Sequence, residues 1–291
     1  MDDGAGVSNL ERRYRALLRV LPRWYRADRE EEMTGIFLAG RTDELDLEHG
    51  WPGWGETWAV LGLAVRTHLA AGAALTSAPA GVRWLGEIVR ALGLIGLFVG
   101  VFEAGASVRS VFDESGPLAF SAQGAGGYLF NVLPVVAFAA LLAGKRTAAK
   151  VAAGVAALPG VLMMPFAGLL VLFQLPGLVT FACLCLGFHR EAPTPPAGRL
   201  AWWGGAALLL GLAAGAWPGT ALLVVAVVAV RVFALVRGDF VLGRAVSVFA
   251  LLELGPVVLL LLSGTVVEIA VVLVVLLVVS VVAPVRRPQF S

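Results

Sequence analysis

Beyond Trp84 the chain becomes a succession of apolar runs, each about twenty residues long and broken only by short turns. A helix rising 1.5 Å per residue needs about twenty such residues to cross a hydrocarbon core of about 30 Å, with about seventeen as the lower bound. Eight runs meet that requirement: 84–106, 128–144, 148–164, 166–188, 200–216, 220–236, 245–263 and 265–283. The stretch 148–188 would be about 60 Å long as one helix, twice the core, so it divides into two passes. The turn is placed at Met164-Pro165, with a hinge at Pro159-Gly160 as the alternative.

Charge supports the same partition. Charged residues make up 14% of the chain, against about a quarter in soluble domains. Up to Leu85 the chain holds ten Arg and twelve Asp or Glu; the remaining two thirds hold twelve basic and eight acidic residues. Lys145, Arg146 and Lys150, then Arg190 and Arg199, then Arg237 and Arg244, then Arg286 and Arg287 fall in alternate turns, on the side that also holds the N-terminal segment. The other side has Arg109, with Asp113 and Glu114 nearby. Basic loops stay cytoplasmic. The reading is therefore an all-α protein of the inner (plasma) membrane with both termini cytoplasmic. A cytoplasmic helical domain over 1–80 precedes a polytopic membrane domain of about eight transmembrane helices over 84–283 and a tail over 284–291. Residues 107–127 form the one substantial outer loop. The N-terminus lacks an apolar core preceding a cleavage site, so no signal peptide is expected.

In the N-terminal segment Leu10, Tyr14, Leu17, Leu18 and Leu21 recur at i, i+4, i+7, i+8 and i+11, one face of a helix that Pro22 ends. Tyr25, Met33, Ile36 and Phe37 mark a second helix, and Trp54, Trp58, Leu61, Val65 and Leu69 a third. A shared core is expected from Leu10, Tyr14, Leu17, Leu18, Leu21, Met33, Phe37, Trp58, Leu61 and Val65. The basic run offers Arg12, Arg15, Arg19, Arg23 and Arg26 as a surface for anionic lipid or an acidic partner. Pairing with Glu11 and Glu30 to Glu32 at helix spacing is the competing reading. The segment is slightly acidic overall, so direct nucleic-acid binding is not expected.

Ionisable groups inside apolar runs are costly and mark candidate sites. Glu87 and Arg90 open the first run close to the cytoplasmic interface, and four lie deeper: Glu103, Arg231, Glu253 and Glu268. Arg231 is read as snorkelling toward the cytoplasmic surface or neutralising Glu253 across two helices. Glu253, beside Gly255-Pro256, serves either as a relay for protons or substrate or as a packing partner. Glu103 is placed to line a cavity, and Glu268 to reach water at the outer surface. Enzyme signatures are absent: His49, His68 and His189 lie outside the apolar runs, and no glycine loop ends in Lys-Ser or Lys-Thr. Cys183 and Cys185, two apart on a helix, face different directions and form neither a disulfide nor a metal clasp. No cofactor, metal or catalytic residue is expected.

The stretch Tyr14-Arg15-Ala16-Leu17-Leu18-Arg19-Val20-Leu21-Pro22, followed by Tyr25-Arg26 and Arg29-Glu30-Glu31-Glu32-Met33, resembles the HAAS-type helical signalling domain. That family joins an aromatic-led leucine helix, a Leu-Pro break and a charged helix to membrane spans of variable number. Its genes often lie beside a PadR-type transcriptional repressor. The whole chain is similar to membrane proteins of high-GC actinobacteria. The resemblance implies a sensory or regulatory membrane protein whose N-terminal helices engage a cytoplasmic regulatory protein or the membrane surface, with the bilayer as its constant partner. A transporter or permease component is the other reading, motivated by the Pro/Gly-broken spans and Glu253.

Overall fold

The computed structural model describes residues 8–39, 50–69, 79–114, 122–188, 196–214, 216–262 and 267–282. Among these residues every regular element is helical. The chain divides into two compact units, Met1–Gly86 and Glu87–Ser291.

The first unit holds α1 (Asn9–Leu18), α2 (Arg23–Ala39) and α3 (Trp54–Leu69). Ser8 starts α1, its hydroxyl accepting the Glu11 amide at 3.1 Å, so one of the orphan N–H groups of the first turn is satisfied. The Leu-Pro break behaves as expected: the Leu21 amide closes a turn onto the Leu18 carbonyl at 2.9 Å, and α2 begins directly after Pro22. Tyr14, Leu18, Leu21, Val60 and Ala64 form the core, with Leu17, Tyr25, Met33, Phe37 and Leu63 packed against it, and Leu10 is also buried. Tyr14 touches both other helices. Its ring stacks on Phe37 with centroids 3.9 Å apart, and its hydroxyl donates to Glu56 at 3.1 Å.

Ile36, read on one side with Tyr25, Met33 and Phe37, is exposed, and the core expected from Trp58, Leu61 and Val65 fails because α3 is turned the other way round. Its buried face is Val60, Ala64 and Thr67, whereas Trp54, Trp58, Val65 and Leu69 are exposed. The physical reason lies in size. Val60 and Ala64, one turn apart, let α3 approach α1 closely, and a core of this size has no room for two indoles. Both faces of α3 are apolar, so periodicity selects the one with the larger residues although the smaller ones pack better.

The second unit contains most of α4 (Ala80–Glu114), then α5 (Ala122–Leu142), α6 (Arg146–Ala167), a 3-10 segment (Gly168–Gln174), α7 (Leu175–Gly187), α8 (Ala197–Ala214), α9 (Ala216–Arg237), α10 (Phe240–Leu262) and α11 (Val267–Val282). Three stretches among the described residues are long and apolar enough to cross a membrane: Arg83–Arg109, Ala197–Ala214 and Phe240–Leu259. Phe130–Leu142, Val171–Gly187 and Val271–Val282 are shorter apolar helices.

The helix ends differ from the expected ones in two places. Residues 107–114 and 122–127, read as loop, continue α4 and begin α5, because hydropathy marks the apolar stretch rather than the helix end. The turn expected at Met164-Pro165 occurs instead at Gly168, with φ 52° and ψ −126°. Glycine alone tolerates that backbone without penalty, while Pro159 and Pro165 are carried inside α6. Leu97, Val101, Phe138, Leu141, Leu184 and Phe188 form a core across α4, α5 and α7 and the residue after it, closed by Ala149, Ala152 and Ala153 of α6. Between α4 and α8 the backbones themselves meet: a methyl group on Gly211 would collide with the Phe102 carbonyl. Small residues permit that approach in apolar surroundings, where helices associate through close packing.

Candidate functional site

Polar groups within the second unit gather at two levels. The first is an inward-turned guanidinium. Arg231 of α9 is 2% exposed, and its Nε donates to the Ser280 carbonyl of α11 at 2.9 Å. The Ser247 hydroxyl of α10 donates to the same carbonyl at 3.1 Å, so three helices share one acceptor. This corrects both expectations for Arg231, which neither snorkels outward nor pairs with Glu253. Depth explains the outcome. Arg231 lies about 9 Å along its helix from Arg237, whereas Glu253 lies about 20 Å from Phe240 across the turn; Ser247, about 10 Å from Phe240, is the residue at the level of Arg231.

The second level is a cavity of about 250 Å³ into which Glu103 and Glu253 both project, with Asn131, Gln174 and Thr180 as its other polar lining. That volume corresponds to about eight waters at about 30 Å³ each. The sequence builds it from one-face patterns. Gly96, Gly100 and Glu103 stand at i, i+4 and i+7 on α4, and Phe249, Glu253, Pro256 and Val257 at i, i+4, i+7 and i+8 on α10. The glycines bring neighbouring elements close: a methyl on Gly96 would collide with Thr180, and one on Gly100 would come 2.7 Å from Pro134. Gln174, last residue of the 3-10 segment, lies over Gly160, where a methyl would meet its side chain at 2.7 Å. Pro134 and Pro256 sit inside α5 and α10. A helical proline removes the bond to the carbonyl four residues earlier, here those of Phe130 and Leu252.

Several of these polar groups are already occupied. The Thr180 hydroxyl donates to the Pro176 carbonyl at 2.7 Å, and the Asn131 amide donates to the Ser107 hydroxyl at 3.0 Å. The carboxylates are not. Glu253 is 8% exposed, yet neither it nor Glu103 makes a hydrogen bond or ion pair among the described residues. Two ionised carboxylates facing one cavity repel each other at a cost that falls mainly on Glu253, the buried one, since Glu103 is exposed. A cation between them, or a proton on one, removes that cost. No three His, Cys, Asp or Glu side chains converge as a metal site among the described residues.

The other candidates fall elsewhere. Glu268 belongs to the first turn of α11, and its side chain lies outside the described residues, as do His49 and His189. His68 lies in α3, its Nε2 3.0 Å from the Val20 carbonyl. The arginine surface is partly consumed by pairing. Arg15 bonds Glu11 at 2.9 Å and grips both oxygens of Glu31 at 2.8 and 3.0 Å, and Arg26 approaches Glu30 at 3.8 Å. Arg12 donates to the Asn9 side chain at 2.6 Å, while Arg19 and Arg23 remain exposed without an ion pair among the described residues. Asn131, Gln174 and Thr180 are uncharged and do not stand out in the sequence as the ionisable groups do. Their signal was an amide or hydroxyl interrupting an apolar run within four residues of a proline.

No family model, curated protein or solved structure matches the chain.

Proposed function

We propose that the chain is an eight-pass inner-membrane protein, both termini cytoplasmic, that binds a small cationic solute in the Glu103–Glu253 cavity as a permease or permease component. The observation carrying this reading is Glu253: a carboxylate nine-tenths buried, facing a cavity and without a hydrogen bond or ion pair among the described residues. The 3-10 break between α6 and α7 and the prolines inside α5 and α10, all beside the cavity, add support, since helix breaks near mid-membrane commonly coordinate solutes and ions. The multi-pass reading rests on the eight apolar runs and on basic residues in alternate turns. A Cys introduced at Ser121 is then labelled from outside intact cells; labelling only after permeabilisation reverses the orientation.

Reconstituted vesicles test the site. Labelled methylammonium and rubidium serve as probes of a protonated amine and a bare cation. The intact protein should take up at least one of them above protein-free vesicles, and Glu253→Gln should reduce that uptake to background. Equal uptake by the two proteins removes the cavity from the pathway.

A second reading has its own support. The chain forms two compact units, and the first resembles HAAS-type signalling helices. In a sensor the same cavity reports occupancy to a cytoplasmic regulatory protein. Its signature is a probe that raises the melting temperature in a Glu253-dependent way while producing no flux.

A further inference from the structure

The third helix presents an apolar face that no other described residue of the first unit covers. Trp51, Trp54, Trp58, Val65 and Leu69 are 57, 72, 67, 46 and 40% exposed. From Trp54 to Leu69 these residues fall within about 60° of one another around the helix at 100° per residue, on the side opposite Val60 and Thr67. We propose that this stripe lies in the interfacial layer of the bilayer, its indoles at headgroup level and Val65 and Leu69 against the upper acyl chains.

The features of the unit select lipid over other occupants. Indoles combine a large apolar body with one N–H donor, which suits them to the headgroup boundary. The polar border is basic where it can be followed. His68 lies 3.0 Å from the Val20 carbonyl, so the end of the stripe adjoins the α1–α2 corner. There Val20 is 43% exposed, with Arg19 before it and Arg23 after it, both exposed, and Arg66 is exposed on α3 itself. An apolar strip edged by arginines is the pattern of a helix lying in the membrane plane, and those arginines match anionic headgroups. Attachment supplies proximity. Leu69 and Arg83, which opens a helix long enough to cross a membrane, are 83 − 69 = 14 positions apart. A chain of that length reaches at most about 50 Å, so the bilayer is always at high effective concentration.

The proposal rests on Arg83–Arg109 crossing a bilayer, and the test separates the two claims. The full-length protein, with Cys183 and Cys185 replaced by alanine, is placed in nanodiscs containing one quarter anionic lipid. Nitroxides are attached singly at Trp58→Cys, at Ala59→Cys (exposed, on another side of α3) and at Leu209→Cys in α8 as a spanning control. Collision rates with oxygen and with a water-soluble nickel chelate are compared. Oxygen should dominate at 58 and 209, and the chelate at 59, with ratios differing several-fold. Trp54→Cys provides a second reading of the stripe should the first label disturb the helix. Chelate dominance at 54 and 58 while 209 reads lipid overturns the stripe alone, and chelate dominance at 209 overturns the spanning premise. Spin–spin broadening at 58 identifies a second copy on the stripe, and a label shielded from both reagents identifies another protein surface; either result also overturns the proposal.

Discussion

The two polar clusters of the second unit differ in whether their ionisable groups are tied to a neighbouring helix. Arg231, Ser247 and Ser280 meet at one carbonyl that accepts from a guanidinium and a hydroxyl and knits α9, α10 and α11, although the Nη1 atom of Arg231 is buried without a hydrogen bond among the described residues. Glu103 and Glu253 face a cavity and close on nothing in the described fold. The first unit resembles the Arg231 cluster. Its Tyr14 hydroxyl is satisfied by Glu56, where burial, and then the neighbouring carboxylate, hold it protonated well above the usual tyrosine range. A buried polar group with its bonds made holds the fold together, whereas Glu253, buried without them among the described residues, is the group for which an occupant is proposed.

That contrast can be broken by substitution. The largest effect belongs to the apolar core that frames the first unit's polar contacts. Leu18→Ala removes a side chain that is 0% exposed, and a cost of about 2–5 kcal/mol is expected. Thermal circular dichroism of the full chain in detergent should show the helices of the first unit melting much earlier. An unchanged profile would mean that this core contributes nothing to holding α1, α2 and α3 together.

Within the second unit the comparison becomes direct. Arg231→Ala should cost about 2–3 kcal/mol through its lost charge-assisted bond. Glu253→Gln breaks no bond and should stay within about 0.5 kcal/mol while losing the solute. Denaturation in mixed micelles ranks the two variants. If Glu253→Gln proves the more destabilising, the carboxylate is structural and the two clusters are alike.

The smallest effect sharpens the comparison with an ion pair in water. Arg15, through its hydrogen bonds and its charge, holds the Glu31 carboxyl below the usual carboxylate range. A lowered native value means that the stabilisation is present above the unfolded value of about 4.3 and disappears as pH falls through the native one. Acidification below about pH 4 should therefore lower the melting temperature slightly more in the native protein than in Glu31→Gln. Identical acid responses would show the pair to be energetically silent.

Much of this was legible in the residues. The Leu-Pro break and the apolar stretches follow from spacing, because helical periodicity and bilayer thickness are stiff constraints, and the depth of Glu103 in its run made it a candidate to line a cavity. Less legible was anything decided by comparing two helices. The outward turn of α3 depends on Val60 and Ala64 fitting where Trp58 does not, a matter of volume rather than hydropathy. The partner of Arg231 depends on depth along two antiparallel helices, where six residues from one end and thirteen from the other are not equivalent. Gln174 was passed over because an uncharged amide within an apolar run raises no alarm until glycine and proline neighbours bring other elements beside it.

The 3-10 segment carries a consequence of its own. Seven residues, Gly168–Gln174, is long for this geometry, which rises about 2.0 Å per residue against 1.5 Å in an α-helix and turns 120° rather than 100°. Rewinding the whole segment into α geometry would shorten it by about 3 Å and rotate Gln174 by about 120° relative to Gly168. The segment is thus a short screw thread with Gln174 at its tip: a modest change of pitch would swing one cavity-lining amide away from Glu103 and Glu253 without any helix having to slide through the bundle.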